Sequence, residues 1–168
     1  MPLNLIKKYN DLLDIGAYDP FTRKKSLMGI FDRDITKNPS FKFQGKQITP
    51  TPKDGTIKMS TLYSHLTTVI VDEKTKKREF DRHRAVRLHW VKYHIEEKKK
   101  ENMLIYSVKE PKGFRTYIYD KDEQYVIVLE PLKKVNEYYL LSAYYVRGKD
   151  SKKNKFVKKY KRRLKEVL

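Results

Sequence analysis

The chain has 168 residues, with 39 Lys or Arg against 21 Asp or Glu, a formal net charge of +18 and no Cys. Hydrophobic residues make up 39% and aromatics 12%, which supplies one core and excludes wholesale disorder. The absence of Cys excludes a disulfide framework, a thiolate zinc site and a cysteine nucleophile. The charge favours a polyanion as partner: nucleic acid first, an acidic protein second, anionic lipid third.

In chain order, Leu3, Leu5, Ile6, Tyr9, Leu12 and Leu13 recur at helical spacing, and Gly16 offers a stop. Lys7, Lys8 and Asp11 interrupt this stretch, so it does not read as a signal-peptide core, and no apolar run is long enough to span a membrane. Leu27, Ile30 and Phe31 predict a helix over 22–35. Phe41, Phe43, a Gln44-Gly45 turn and Ile48 predict a hairpin over 40–48. Pro50, Pro52 and Lys53-Asp54-Gly55 mark a break, dividing the chain into a helical and hairpin extension, 1–55, and a main domain, 56–168. Residues 61–71 predict a strand. The charge-dense stretch 72–78 then leads into the strongest helical pattern, 79–100. Four strands in a meander follow over 103–109, 114–119, 124–130 and 137–146; the third is apolar on both faces and reads as central. Residues 147–168 hold eleven Lys or Arg against two acids, with Phe156, Tyr160, Leu164 and Val167 as a helical stripe. The expected fold class is α+β: an antiparallel sheet of four to five strands, a long helix on one face and a basic C-terminal helix.

On a helix over 79–100, Arg84 falls among Phe80, Leu88, Val91 and Ile95, with Arg87 at the edge beside His83 and His94. A guanidinium there needs a carboxylate, backbone carbonyls or a phosphate; a structural arginine paired at the core edge is the alternative. Arg82, His89 and Tyr93 fall on the opposite, solvated face. Strand alternation places Arg115, Tyr117 and Tyr119 on one side of their strand, and Tyr138, Leu140, Ser142 and Tyr144 together on theirs. A face with Arg115, Tyr117, Ser142 and Tyr144 suits RNA, since rings stack on bases and arginine meets phosphate. Ordinary strand propensity explains the tyrosines equally simply. The histidines His65, His83, His89 and His94 lack metal-ligand spacing, so no metal site is expected. The glycine-rich loops of nucleotide binding are absent, so no cofactor is expected either. His65, read at a sheet edge, is either a general acid or base near neutral pH or a structural residue.

Four segments carry a resemblance. They are Glu79-Phe80-Asp81-Arg82-His83-Arg84-Ala85-Val86-Arg87-Leu88-His89-Trp90-Val91-Lys92, Phe114-Arg115-Thr116-Tyr117-Ile118-Tyr119, Tyr125-Val126-Ile127-Val128-Leu129-Glu130-Pro131 and Tyr138-Tyr139-Leu140-Leu141-Ser142-Ala143-Tyr144-Tyr145-Val146. In this order the chain resembles, over about residues 62–165, the phage- and prophage-associated nuclease-like domains grouped with barnase, EndoU, the colicin tRNases and RelE. The resemblance implies a metal-independent endoribonuclease of toxin, phage or anti-phage type, cleaving RNA by 2′-hydroxyl attack. It carries a site onto His65, Arg84, Arg87, Arg115, Ser142 and Tyr144, with Ser142 where the pattern expects Thr. In that reading His65 is the acid or base, Arg84 and Arg115 clamp phosphate, and Ser142 and Tyr144 bond or transfer protons. Arg87, Tyr117 and the basic Lys152, Lys153, Lys155, Lys158, Lys159, Lys161, Arg162 and Arg163 would bind RNA, tRNA or mRNA, in a salt-dependent way. An acidic antitoxin or immunity protein is a further partner, and zero Cys fits a cytoplasmic location. Two other classes stay open: a non-catalytic nucleic-acid-binding protein, and an interaction module for an acidic partner.

Overall fold

The computed structural model describes residues 2–5, 7–152 and 154–168. A one-turn helix, α1 (Pro2–Leu5), opens the chain. The helical periodicity predicted beyond it does not continue: residues 7–13 form a strap tied down by groups from elsewhere. Trp90 Nε1 donates to the Asp11 carbonyl at 3.1 Å, and the Leu13 amide donates to the Val86 carbonyl at 3.0 Å. Leu13 is buried while Leu12 is exposed, so the strap inserts its apolar residues singly. The next helix, α2 (Pro20–Phe31), starts as its sequence dictates. Pro20 needs no amide partner there, and the Asp19 carboxylate accepts from the Thr22 amide (2.9 Å) and hydroxyl (2.8 Å). It buries Leu27, Ile30 and Phe31 and runs into a π-helical turn, Asp32–Thr36. The hairpin β1 (Lys42–Phe43) and β2 (Lys46–Pro50) follows. Its Gln44-Gly45 turn takes positive φ at both residues, as a tight hairpin requires.

Two sequence expectations fail in the middle of the chain. Residues 61–71 are not one strand. They divide into the end of a helix, α3 (Met59–Thr67), and a strand, β3 (Thr68–Asp72), which pairs with β4 (Lys77–Phe80) in a separate two-stranded sheet. Leu62 and Leu66, four apart, bury one helix face, and the β-branched run begins only at Thr67. The predicted long helix over 79–100 is also broken. Its first residues belong to β4, and only α4 (Arg82–Ala85) and α5 (Trp90–Ile95) are α-helical. Between them the chain tightens through bonds spanning three residues, from the Arg87 amide to the Arg84 carbonyl (3.1 Å) and from Trp90 to Arg87 (2.9 Å). The tighter path rotates side chains away from a uniform 100° projection. His89, predicted on the solvated face, is thereby buried.

The meander is present as β5 (Met103–Glu110), β6 (Gly113–Asp120), β7 (Tyr125–Pro131) and β8 (Glu137–Tyr145). The sheet has six strands rather than four or five, because the N-terminal hairpin joins it, in the order β1-β2-β8-β7-β6-β5. The β2–β8 pair is parallel and the others antiparallel. Leu13, Leu27 and Phe31 share one core with Ile127 and Leu140. The C-terminal helices α6 (Lys149–Lys152) and α7 (Lys155–Lys161) cover the opposite face, where Phe156 packs with Tyr106, Tyr117, Tyr119 and Val126. Burying Phe156 there contributes on the order of 2 kcal/mol. The basic helix ends at Lys161 and not near residue 168. Beyond it, the Leu164 amide donates to the Ser107 carbonyl (2.8 Å), and the Leu168 amide donates to Ser107 Oγ (2.9 Å).

One extra residue in β8 changes what the sheet presents. Leu129 pairs with Leu140 but Val128 pairs with Ser142, so Leu141 is bulged out of register. Tyr138 and Leu140 therefore face the core under α2 and α3, whereas Ser142 and Tyr144 turn to the side of Val126 and Val128. The expected common face for these four residues is split by that bulge. β2 pairs only with residues 137–140 of β8, so the strand edge from Leu141 onward is open to α3 and α4.

A buried polar cluster ties the strap to α5 and β6. Tyr9 donates its hydroxyl proton to Asp120 Oδ2, which lies 3.0 Å from His94 Nε2, and Lys99 Nζ donates to Asp120 Oδ1 at 2.5 Å. Burial pushes the Asp120 carboxyl up, but the bonds from His94, Lys99 and Tyr9 outweigh it and hold it well below the carboxylate range. Among the described residues, no helix is long and apolar enough to cross a membrane.

Candidate functional site

His65 sits on the last turn of α3, Arg78 on β4, Arg84 on α4 and Ser142 just past the β8 bulge. They meet at an open cleft of about 470 Å³ that Leu141, Val69, Ile70 and the acidic Glu73 also line. Arg84 organises it. Its Nη1 donates to the His65 carbonyl at 2.8 Å and to Ser142 Oγ at 3.1 Å. Its Nε lies 3.8 Å from Asp81 Oδ2, and its guanidinium carbon lies 5.0 Å from the Tyr144 ring centre. Of the alternative partners the sequence allowed for this arginine, a backbone carbonyl and a carboxylate are present, as a structural arginine paired at the core edge would also have them. Nη2 makes no hydrogen bond among the described residues, which leaves it available to an anion. Arg78 is held from the other side: its Nε donates to Thr68 Oγ1 (2.7 Å) and its Nη2 to the Thr68 carbonyl (2.9 Å), leaving Nη1. Two anchored guanidiniums and one imidazole therefore line the same cleft.

His65 is half-buried. Nδ1 is sealed from solvent without a hydrogen-bond partner, so Nε2 is the nitrogen that can meet a ligand. Burial lowers the imidazole pKa below its ordinary value, and the positive charges of Arg78, Arg84 and Lys53 lower it further. The ring is thereby biased toward its uncharged form, which is able to take a proton. An anion in the cleft would cancel part of the positive field and make His65 a stronger base once a ligand is bound.

The other predicted residues are placed differently. Tyr144 does not line the cleft. Its ring packs between Arg84 and Phe156, and burial pushes its hydroxyl up to about 12, so it stays a phenol that positions Arg84. Arg115 is on β6, pairing with Glu130 at 3.3 Å and donating to the Phe114 carbonyl at 2.8 Å, away from the cleft. Arg87 donates to the His83 carbonyl at 2.8 Å and stacks on Tyr145 (4.3 Å) and Trp90 (5.2 Å). Tyr117 is not an exposed stacking platform. It is 5% exposed beneath α7 and donates to Glu110 Oε1 at 3.0 Å.

The basic C-terminal set divides. Lys159 and Arg162 both bind Glu110, Lys155 lies 3.3 Å from Asp150, and Arg163 covers Tyr160 at 4.0 Å. Lys158 and Lys161 are exposed and have no acidic partner among the described residues. Lys153 lies outside the described residues, as does the side chain of Lys152.

Sequence reasoning missed Arg78, reading residues 72–78 as a charged separator. The signal was there: Val69-Ile70-Val71, a polar turn, then Lys77-Arg78-Glu79-Phe80 alternates as a hairpin does. The turn closes with Asp72 Oδ1 accepting from the Lys74 amide at 2.9 Å. Among the described residues, no three His, Asp or Glu side chains gather as a metal site would require. No family model, curated protein or solved structure matches the chain.

Proposed function

We propose that the protein is a cytoplasmic endoribonuclease that needs no metal, with its scissile phosphate held between Arg84 and Arg78. The observation that carries this reading is one cleft lined by a ligand-accessible imidazole and two arginines, each with a nitrogen left over. Phosphodiester transfer within RNA needs a base for the 2′-hydroxyl and positive charge for the phosphorane. His65 Nε2 takes the 2′-hydroxyl proton as the 2′-oxygen bonds to phosphorus. The bond to the 5′-oxygen breaks, that oxygen takes a proton from water in the open cleft, the hydroxide so formed recovers the proton from His65, and a 2′,3′-cyclic phosphate results. Arg84 Nη2 and Arg78 Nη1 meet the non-bridging oxygens, and Ser142 hydrogen-bonds beside them. Tyr144 keeps Arg84 in place. The exposed Lys158 and Lys161 add affinity for the RNA backbone.

The test is incubation of the purified protein with total cellular RNA in EDTA, with products resolved on a denaturing gel. Discrete fragments ending in cyclic phosphate, lost in His65→Ala and Arg84→Ala, are expected. Intact RNA with a mobility shift on a native gel would replace the reading with a non-catalytic binding protein. RNA neither cut nor shifted would favour an acidic protein partner.

A further inference from the structure

The cleft does not end at His65. A second lobe of about 440 Å³ shares His65, Ile70 and Arg78 with the first and extends past them to Thr51, Lys53, Ser60 and Thr61. This lobe is more cationic than the first: Lys53, Lys76 and Arg78 line it with no carboxylate, whereas Glu73 lines the other. Lys76 is turned to Glu73 at 2.7 Å, but Lys53 is exposed and has no ion pair among the described residues. One of its lining residues, Thr51, carries a buried hydroxyl oxygen without a partner. Native interiors rarely leave such atoms unpaired. Hydroxyls of Ser60 and Thr61 stand on the same wall, where α3 begins with no side-chain cap. Hydroxyls and ammonium groups are what phosphate oxygens accept from.

We propose that this lobe is a second phosphate subsite, so that the chain recognised is single-stranded and must carry two successive phosphodiesters. One would sit at Arg84 and the next at Lys53, with the strand passing over His65. The inference rests on the ribonuclease reading for the first phosphate and adds the minimum substrate length. In-line attack of a 2′-hydroxyl on its own phosphate needs a backbone geometry that an A-form duplex does not present, which is why the strand is single.

Binding separates this inference from catalysis. Mixed-base 2′-deoxy dinucleotides and trinucleotides without terminal phosphates carry one and two phosphodiesters and lack the attacking hydroxyl. Titrated calorimetrically into the intact protein, the trinucleotide is expected to bind about tenfold tighter, the worth of one charge-assisted contact. Its salt dependence should also be steeper, by about 0.7 in the log–log slope. Lys53→Ala is expected to bring both quantities to the dinucleotide's values. Lys53 is exposed, so the variant retains the core, and a thermal melt checks that it does. Equal affinities in the wild type, no binding of either oligonucleotide, or a trinucleotide preference that survives in both Lys53→Ala and Thr61→Ala would each overturn the subsite. Absence of RNA cleavage with the preference intact would overturn the ribonuclease reading and leave the subsite standing.

Discussion

At the residue scale, His65 and Arg84 act on each other through two routes. Arg84 holds the His65 carbonyl, which fixes the end of α3, and its charge helps to depress the imidazole. Removing it should therefore shift a titration as well as a rate. In Arg84→Ala the His65 pKa, read from its ring proton shifts by NMR, is expected to rise, and inorganic phosphate should raise it in the wild type. The activity loss should be about 10²-fold, the usual effect of deleting one donor to a transition-state oxygen. Because burial and the neighbouring cations lower the His65 pKa, log kcat/KM should fall on the acid side at a lower pH than an ordinary histidine would give and be flat above it. An unchanged His65 titration in Arg84→Ala would separate the two residues. His65 and Arg84 were legible in the sequence as unusual residues in apolar or strand-like company. Arg115, Arg87 and Tyr117 looked equally suitable there. Glu130, Tyr145 and α7 occupy them, and each of these neighbours comes from a distant part of the chain.

At the element scale, the basic C-terminal helix is first a structural element. Glu110, at the β5–β6 turn, accepts from Lys159, Arg162 and Tyr117. Burial pushes its carboxyl up, but those partners outweigh it and hold it at about 2. A depressed carboxylate contributes stability above its unfolded pKa, near 4.3, and that stability is lost as pH falls through the folded value. The docking of α7 should accordingly weaken between about pH 4 and pH 2. Glu110→Gln is expected to lower stability at pH 7 by roughly 2 kcal/mol, and its urea midpoint should converge on the wild type's only as pH falls below about 2. A constant difference across that range would remove Glu110 from the account. Elements with one strong period were legible: α2, the β1–β2 hairpin and all four meander strands lie where their patterns put them. The long helix was not, because a 3.6-residue period cannot reveal a switch to three-residue bonds between Ala85 and Trp90. The β8 bulge was equally hidden, since Leu141 fits an apolar strand on either face.

At the scale of the whole molecule, a charge of +18 does not act as one uniform field. Lys159 and Arg162 serve Glu110, whereas Lys158 and Lys161 point to solvent without partners among the described residues. Exposed cations should influence RNA affinity and its salt dependence, while paired ones should influence stability. The Lys158→Ala/Lys161→Ala pair is expected to flatten the log–log salt slope for single-stranded RNA by about 1.4, leaving the thermal midpoint unchanged. Lys159→Ala is expected to lower the midpoint with little change in slope. The reverse pattern, measured by fluorescence anisotropy from low to moderate salt, would show that the pairing at Glu110 does not govern how the helix is used.

The sequence by itself determined the α+β class, the meander and its turns and the basic end of the chain, whereas His65 and Arg84 were two candidates among several. Those features follow from local spacing, turn chemistry and composition, which act over a few residues. Only the tertiary structure decided that the N-terminal hairpin would extend the sheet, that α7 would close over Tyr117, and that Arg78 would share one cleft with Arg84 and His65. The first two depend on packing between segments tens of residues apart, and the third on the predicted 79–100 helix breaking into β4 and α4. The bulge at Leu141 decided which side of the sheet Ser142 would face, because a single added residue inverts the alternation of everything that follows it.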